Sequence, residues 1–368
     1  MPDDFSRAVW TRLAEKVLTE TLGLRRRQSV VIASGTQSLP AAERLMMEAL
    51  RLGIRPVLLR VPDWSFHYPK NGKRPSYGVA FSRPEIAALA ASDGFVFIPV
   101  ALDDEARWEK LPSAERRAWN DRDWTFIRVL ASHSIKAVDF LPGLVNPESA
   151  RSFDIDFKTW QKECIRASSI AASQLRKSAR PLLRPLLTGK RLTITHPNGT
   201  HLELGLCGNS PIVDDGMVDA QDLAIGRYWT VFPGGQVVVA LDGRTAEGCI
   251  VSNRPTHHPN GSLSEARWTF RKGRLVKYDF GKGRRMFERE YRLAGRERNR
   301  PAIFEVGLNP RIHDLPPVED QERGVCSLLI GHNDDYGGRI QGMFRHTAIL
   351  RGGSVLVDDT PLIRAGRW

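Results

Sequence analysis

Cysteine is scarce in this chain, four in 368 residues, and Cys164, Cys207, Cys249 and Cys326 lie far apart with no Cys-x-x-Cys pair. That spacing argues against a disulfide frame or a thiolate zinc site and leaves ordinary buried thiols as the expectation. Long apolar runs are missing as well. No window approaches the roughly 18 consecutive apolar residues of a membrane-spanning helix, and the start MPDDFSRAVWTRL lacks a signal-peptide core. A cytoplasmic protein with no membrane partner is expected. Glycine is short where a nucleotide would need it: the turn after the first strand, ASGTQSLP, has only one, which argues against a Rossmann cofactor site. Neither a Gly-x-Ser-x-Gly elbow, a His-Glu-x-x-His helix nor a Walker lysine occurs.

What is present describes a folded, two-domain chain. Hydrophobic residues make up 41% and charged ones 26%, an ordinary globular balance, and 368 residues exceed the size at which one core stops growing. The formal charge is +12, yet arginine is spread along the chain, with local runs only at Arg25 to Arg27 and from Lys272 to Arg300. Without a nucleic-acid motif between them, these read as a solvated basic surface and no nucleic-acid partner is expected; the field would draw an anionic substrate.

The N-terminal part alternates helix and strand. Helical spacing over Ser6 to Leu24 leads to QSVVIAS, then the amphipathic LPAAERLMMEALRLGI stopped by Gly53, then RPVLLRV. This is a β-α-β pattern with parallel pairing, repeated by DGFVFIPV and IKAVDFLPG. Pro181 and Pro185 are expected to break the helical stretch from Phe157 to Leu187. Beyond it, RLTITHPNGTHLELGL reads as a hairpin, and Arg271 to Arg274 as the turn of another. Asp214, Asp215, His257 and His258 read as turn residues. The fold class is therefore α/β: an N-terminal doubly wound, mainly parallel sheet domain (1–156), a linking helix (157–187) and a β-rich α+β C-terminal domain (188–368).

Chemistry concentrates in that C-terminal half. Glu305 sits in an apolar strand between Phe304 and Val306, where a charge needs a function or an arginine partner. His332, Asp334, Asp335 and Tyr336 share a loop whose glycines and polar residues also fit turn chemistry alone. His346 stands in a strand-like run, where a lone histidine is by default a hydrogen-bonded structural residue.

The order of segments carries a resemblance: Gly199, Thr200 and Leu202 of the hairpin, then FPGGQV, FEVGLNP, GVCSLLIGHNDDYGG, FRHTAIL and a GRW tail. This half of the chain resembles the M29 metallo-aminopeptidases and their relatives, which include dihydroxypyridine dioxygenases. The resemblance implies a pair of divalent metals, with Glu305 at the second carboxylate, His346 at the terminal histidine and Tyr336 in the segment that supplies a catalytic tyrosine. Three positions depart: Gln236 replaces the first carboxylate, Ser327 the strand histidine and Ala348 the terminal aspartate. One carboxylate and one histidine cannot offset two dications. What the resemblance leaves is one divalent ion (Zn, Mn or Fe) on Glu305, His346 and His332.

That set implies a metal-dependent hydrolase acting on an amide or related bond of a small molecule or short peptide, with Glu305 and Tyr336 as catalytic residues and a homodimer as the assembly. Two imidazoles and a carboxylate also match ferrous-iron ring-cleaving dioxygenases. A non-catalytic ligand-binding relative is the third reading.

Overall fold

The alternating patterns resolve into strands where their β-branched residues run and into helices where apolar residues recur at three and four. The computed structural model describes residues 6–60, 82–98, 127–206, 208–258, 261–294, 296–340 and 344–368. Cys207, the first five residues, the end of DGFVFIPV and the Pro259–Asn260 pair lie outside them. The chain divides into two compact units, Met1–Ser168 with Gly216–Pro233, and Ser169–Asp215 with Gly234–Trp368.

In the first unit, β1 (Ser29–Ser34), β2 (Arg55–Arg60), β3 (Gly94–Phe97) and β4 (Lys136–Phe140) pair in parallel in the order β2-β1-β3-β4. Val31, Ala33, Phe95 and Ala137 pack with Leu89 and Leu130 on one face, while Val30, Ile32, Val96 and Val138 are fully buried on the other. A parallel sheet covered on both faces is the expected doubly wound layer. The helix Arg83–Ala90 opens on a capping box between Ser82 and Glu85, and Leu39–Arg51 buries the stripe Ala42, Leu45 and Ala49. A fifth parallel strand, which pairs with β4, comes from far downstream at Trp229–Phe232.

The helical stretch before the second unit is corrected in detail. It forms two helices, Phe157–Ser168 and Ala172–Thr188, and the second runs through both Pro181 and Pro185. The two prolines stand four apart on the outer stripe, where carbonyls deprived of a donor meet water, while Leu175, Ala179, Leu182 and Leu186 hold the buried side.

The second unit is antiparallel. Seven strands form one sheet: β5 (Arg191–His196), β6 (Thr200–Gly205), β10 (Glu247–Val251), β13 (Arg267–Arg271), β14 (Arg274–Asp279), β18 (Ser354–Val357) and β19 (Thr360–Ile363). The other sheet has the order β17 (Arg345–Arg351), β16 (Val325–Gly331), β15 (Pro301–Gly307), β9 (Gln236–Ala240), β7 (Ile212–Asp214). The strand Trp229–Phe232 of the first unit is β8 in chain order. The expected hairpins form between β5 and β6 and between β13 and β14, with Lys272 and Gly273 both at positive φ in the latter turn. His257 and His258 belong not to a turn but to a short strand, β11 (Thr256–His258), paired with β12 (Gly261–Leu263). The main core lies between the two sheets: Val237, Val239, Phe304, Val306, Leu328 and Leu350 meet Leu192, Ile194, Leu202, Trp268 and Phe270. Cys164 and Cys326 are buried thiols, both pushed up to about 12 by desolvation. Among the described residues no helix is long and apolar enough to cross a membrane.

Candidate functional site

Register decides which side chains of the five-stranded sheet can meet, because successive residues of a strand point to opposite faces. Glu305 stands opposite Val238 on β9 and Ser327 on β16, and Ser327 stands opposite Ile349 on β17. These four share the outer face, away from the core between the sheets. His346 lies three positions from Ile349, so its side chain points to the inner face. From strand spacing and rise, the Cα atoms of Glu305 and His346 are roughly 14 Å apart.

The environment of His346 agrees with that placement. It is buried, its Nε2 lies 2.8 Å from Oε2 of Glu290, and its ring packs 5.1 Å from Phe287 and 5.0 Å from Phe344. The shared ligand set of Glu305, His346 and His332 is thus corrected: the pleat turns the first two away from each other. His332 Nδ1 sits 3.2 Å from the Phe344 carbonyl, and its backbone N–H donates to the same oxygen at 3.1 Å. Tyr336 packs on the outer-face cluster of Val238, Ile303, Leu329 and Ile340, with the Arg345 guanidinium 5.4 Å from its ring centre. Glu305 and Tyr336 therefore belong to one face.

Glu305 is 3% exposed and accepts a hydrogen bond from the Ser327 hydroxyl at 3.2 Å. Its second partner is Asp320, with which it shares a hydrogen bond. Burial, then the charge of Asp320, raises the Glu305 carboxyl well above its ordinary range, against the pull of Arg345 and Ser327. Burial and the neighbouring Glu319 raise Asp320 from 3.8 to about 7, although its carboxylate also accepts from the backbone N–H groups of Asp320 and Gln321 and from Glu305. The direction of the bond follows: Glu305 holds the proton and donates, and Asp320 accepts. Two carboxyls in hydrogen-bond contact cannot both ionise cheaply.

The segment that delivers Asp320 is fixed by its neighbours. The 3-10 turn Glu319–Gln321 crosses over Gly307, where a Cβ would fall 2.1 Å from the Glu322 carbonyl oxygen and 2.6 Å from that of Asp320. Glu319, 3% exposed, is bonded by the side chain of His257 and accepts from its backbone N–H at 3.1 Å. Glu322 pairs with Arg351 and lies 3.4 Å from His313, and Arg254 pairs with Asp314. Asn309, fully buried, donates to the Gly234 carbonyl at 3.1 Å, and its backbone bonds to Gln321 and Arg323. Thus the Phe-Pro-Gly-Gly-Gln and Gly-Leu-Asn-Pro motifs interlock beside the carboxyl pair. Sequence reading did not single out Asp320. Its only signal was three acids in four positions, Glu319, Asp320 and Glu322, following a Pro-Pro-Val stretch.

The donor set does not suit the metal pair that the resemblance implies. Gln236, two positions from Val238 and on the same face, brings a neutral amide whose buried Oε1 has no hydrogen-bond partner among the described residues. Ser327 brings a hydroxyl, Ala348 nothing, and His346 faces the core. Glu305 and Asp320 supply two carboxyls with no imidazole beside them among the described residues, short of the donor set that two dications would need. Among the described residues no group of three or more His, Cys, Asp or Glu side chains converges as a metal would require.

Neither a family model nor a curated protein sequence matches the chain. Solved structures do. AmpT from Thermus thermophilus superposes with a TM-score of 0.73 at 16% identity, covering 98% of this chain and 99% of that one. The 2,5-dihydroxypyridine dioxygenase from Pseudomonas putida KT2440 superposes with a TM-score of 0.65 at 15% identity, covering 99% and 97%. The chain has the fold of both over nearly its whole length.

Proposed function

We propose that this chain is a hydrolase acting on an amide or related bond of a small molecule or short peptide, with the carboxyl pair Glu305 and Asp320 in place of a metal cluster. The observation that carries the reading is the hydrogen bond between the two carboxyls on the outer face, one of them titrating at about 7. A pair that holds one proton near neutrality offers a base and an acid side by side.

In this reading Asp320, which is only partly buried, takes a proton from water as the water oxygen bonds to the substrate carbonyl carbon. Glu305 hands its proton to the carbonyl oxygen. The C–N bond then breaks, the proton on Asp320 passes to the departing amine, and the proton on the tetrahedral oxygen returns to Glu305. Tyr336 and Arg345, on the same face, line the side where negative charge develops. The fold is shared with AmpT and with the dioxygenase alike; what favours hydrolysis is that among the described residues this face gathers no pair of imidazoles for ferrous iron. The homodimer implied by the resemblance belongs to the same proposal and is read by sedimentation velocity.

Aminoacyl p-nitroanilides and short peptides, assayed with and without a strong chelator, test it. Turnover should survive the chelator, fall at least a hundredfold in Glu305→Gln and in Asp320→Asn, and rise with pH through about 7 as Asp320 ionises and becomes the base. Turnover only with added metal, or intact in Asp320→Asn, would sink the reading.

A further inference from the structure

Arg339 and Arg244 reach a single hollow in the second unit. It has a volume of about 240 Å³ and is lined by Asn209, Leu241, Asp242, Arg244, Arg339 and Ile340. Its charges do not cancel. Arg244 Nε donates to Asp242 Oδ1 at 2.8 Å, which neutralises that pair, whereas Arg339 makes no hydrogen bond or ion pair with any described residue. The hollow therefore carries one uncompensated positive charge. Leu241 and Ile340, both buried, supply an apolar wall. The Asn209 amide is held by a bond from its Nδ2 to the Ala240 carbonyl at 3.3 Å, which leaves its second N–H as a donor.

We propose that this hollow binds the carboxylate of a small organic acid, with Arg339 as its main anchor, Arg244 and Asn209 as further donors, and the alkyl part against Leu241 and Ile340. A planar guanidinium presents paired N–H groups that match the two oxygens of a carboxylate. One net positive charge suits a monoanion; a phosphate dianion would place its second charge beside Asp242 with no cation left to meet it. Taking about 30 Å³ per water, the volume equals about eight waters, enough for an acid with a short branched chain.

The hollow is distinct from the carboxyl pair. Asp242 lies four residues along the chain from Val238, the partner of Glu305, which is about 13 Å at the rise of a strand. Ile340 joins its wall to the cluster under Tyr336, yet binding of an acid is read without turnover, so this proposal and the hydrolytic one fail separately.

Isothermal titration of the full chain with 4-methylpentanoate, with the uncharged 4-methylpentanamide and with inorganic phosphate tests the assignment. The acid should bind one to one, the amide and phosphate at least tenfold more weakly. Arg339→Gln, a change at an exposed side chain, should keep the melting temperature and lose at least tenfold in affinity for the acid. Asp242→Asn, which frees the Arg244 guanidinium, should bind it several-fold more tightly. No binding of the acid at millimolar concentration, equal binding of the amide, phosphate binding as tightly as the acid, or an unchanged Arg339→Gln would overturn it.

Discussion

Glu305 was legible in the sequence because a charged residue in a run as apolar as Ile303 to Val306 demands a partner. The partner was not legible, since Asp320 sits 15 positions downstream on a 3-10 turn that only the crossing over Gly307 brings back. The proton they share has a measurable consequence for stability. An unfolded aspartic acid titrates near 3.8 and Asp320 in the fold at about 7, so across that window the native state holds the extra proton. The stabilisation is complete below about 3.8 and is lost as pH rises through 7, at about 1.4 kcal/mol for each tenfold change in proton affinity. Urea unfolding at pH 5.5 and 8 should show that loss in the wild type and little of it in Asp320→Asn. His346 makes the opposite case: a ligand by motif, a core residue by register. Its replacement by alanine should cost about 2–4 kcal/mol, through the space between Phe287 and Phe344 and the lost bond to Glu290. The rate per folded molecule should stay within about twofold; abolished turnover at unchanged stability would restore the ligand role.

Elements were read well where a pattern is local. The hairpins announced themselves through Pro-Asn-Gly and Lys-Gly turns, and the parallel strands through β-branched runs separated by helices. Two misreadings have physical causes. Prolines were expected to break the helix after Ala172, but Pro181 faces solvent, where water can meet the carbonyl it orphans, and the buried stripe Leu175, Ala179, Leu182 and Leu186 offsets the cost. The metal set failed because motif order carries no parity: one residue of offset along β17 moves a side chain from one face to the other. The same element logic predicts a strong effect at Gly307. Alanine there would drive Cβ into the Glu322 and Asp320 carbonyls, displace the turn that carries Asp320, and lower turnover about as much as Asp320→Asn while Glu305 stays in place. Wild-type rates in Gly307→Ala would mean that the turn does not position the acid pair.

Over the whole molecule, the division between a parallel α/β layer and an antiparallel β-rich part was readable, whereas the return of the chain to complete the first sheet with Trp229–Phe232 was not. That strand is four residues long and follows a different unit, so nothing local marks its partner. The fold is that of AmpT and of 2,5-dihydroxypyridine dioxygenase over almost every residue, at an identity where side chains are free to change. On the outer face of the sheet that carries Glu305, this chain has a carboxyl pair, Glu305 and Asp320, that burial and mutual repulsion keep protonated above the ordinary carboxylate range. Carbon-13 NMR of labelled Asp and Glu carboxyls, followed from pH 4 to 9 in chelator-treated protein, reads this directly. The Asp320 carboxyl should remain protonated at pH 6, titrate at about 7 and be absent from the Asp320→Asn spectrum, while the Glu305 carboxyl also keeps its proton well above the ordinary range. Carboxyls all ionised by about pH 5.5, or that signal lost on stoichiometric uptake of zinc or manganese, would contradict the account.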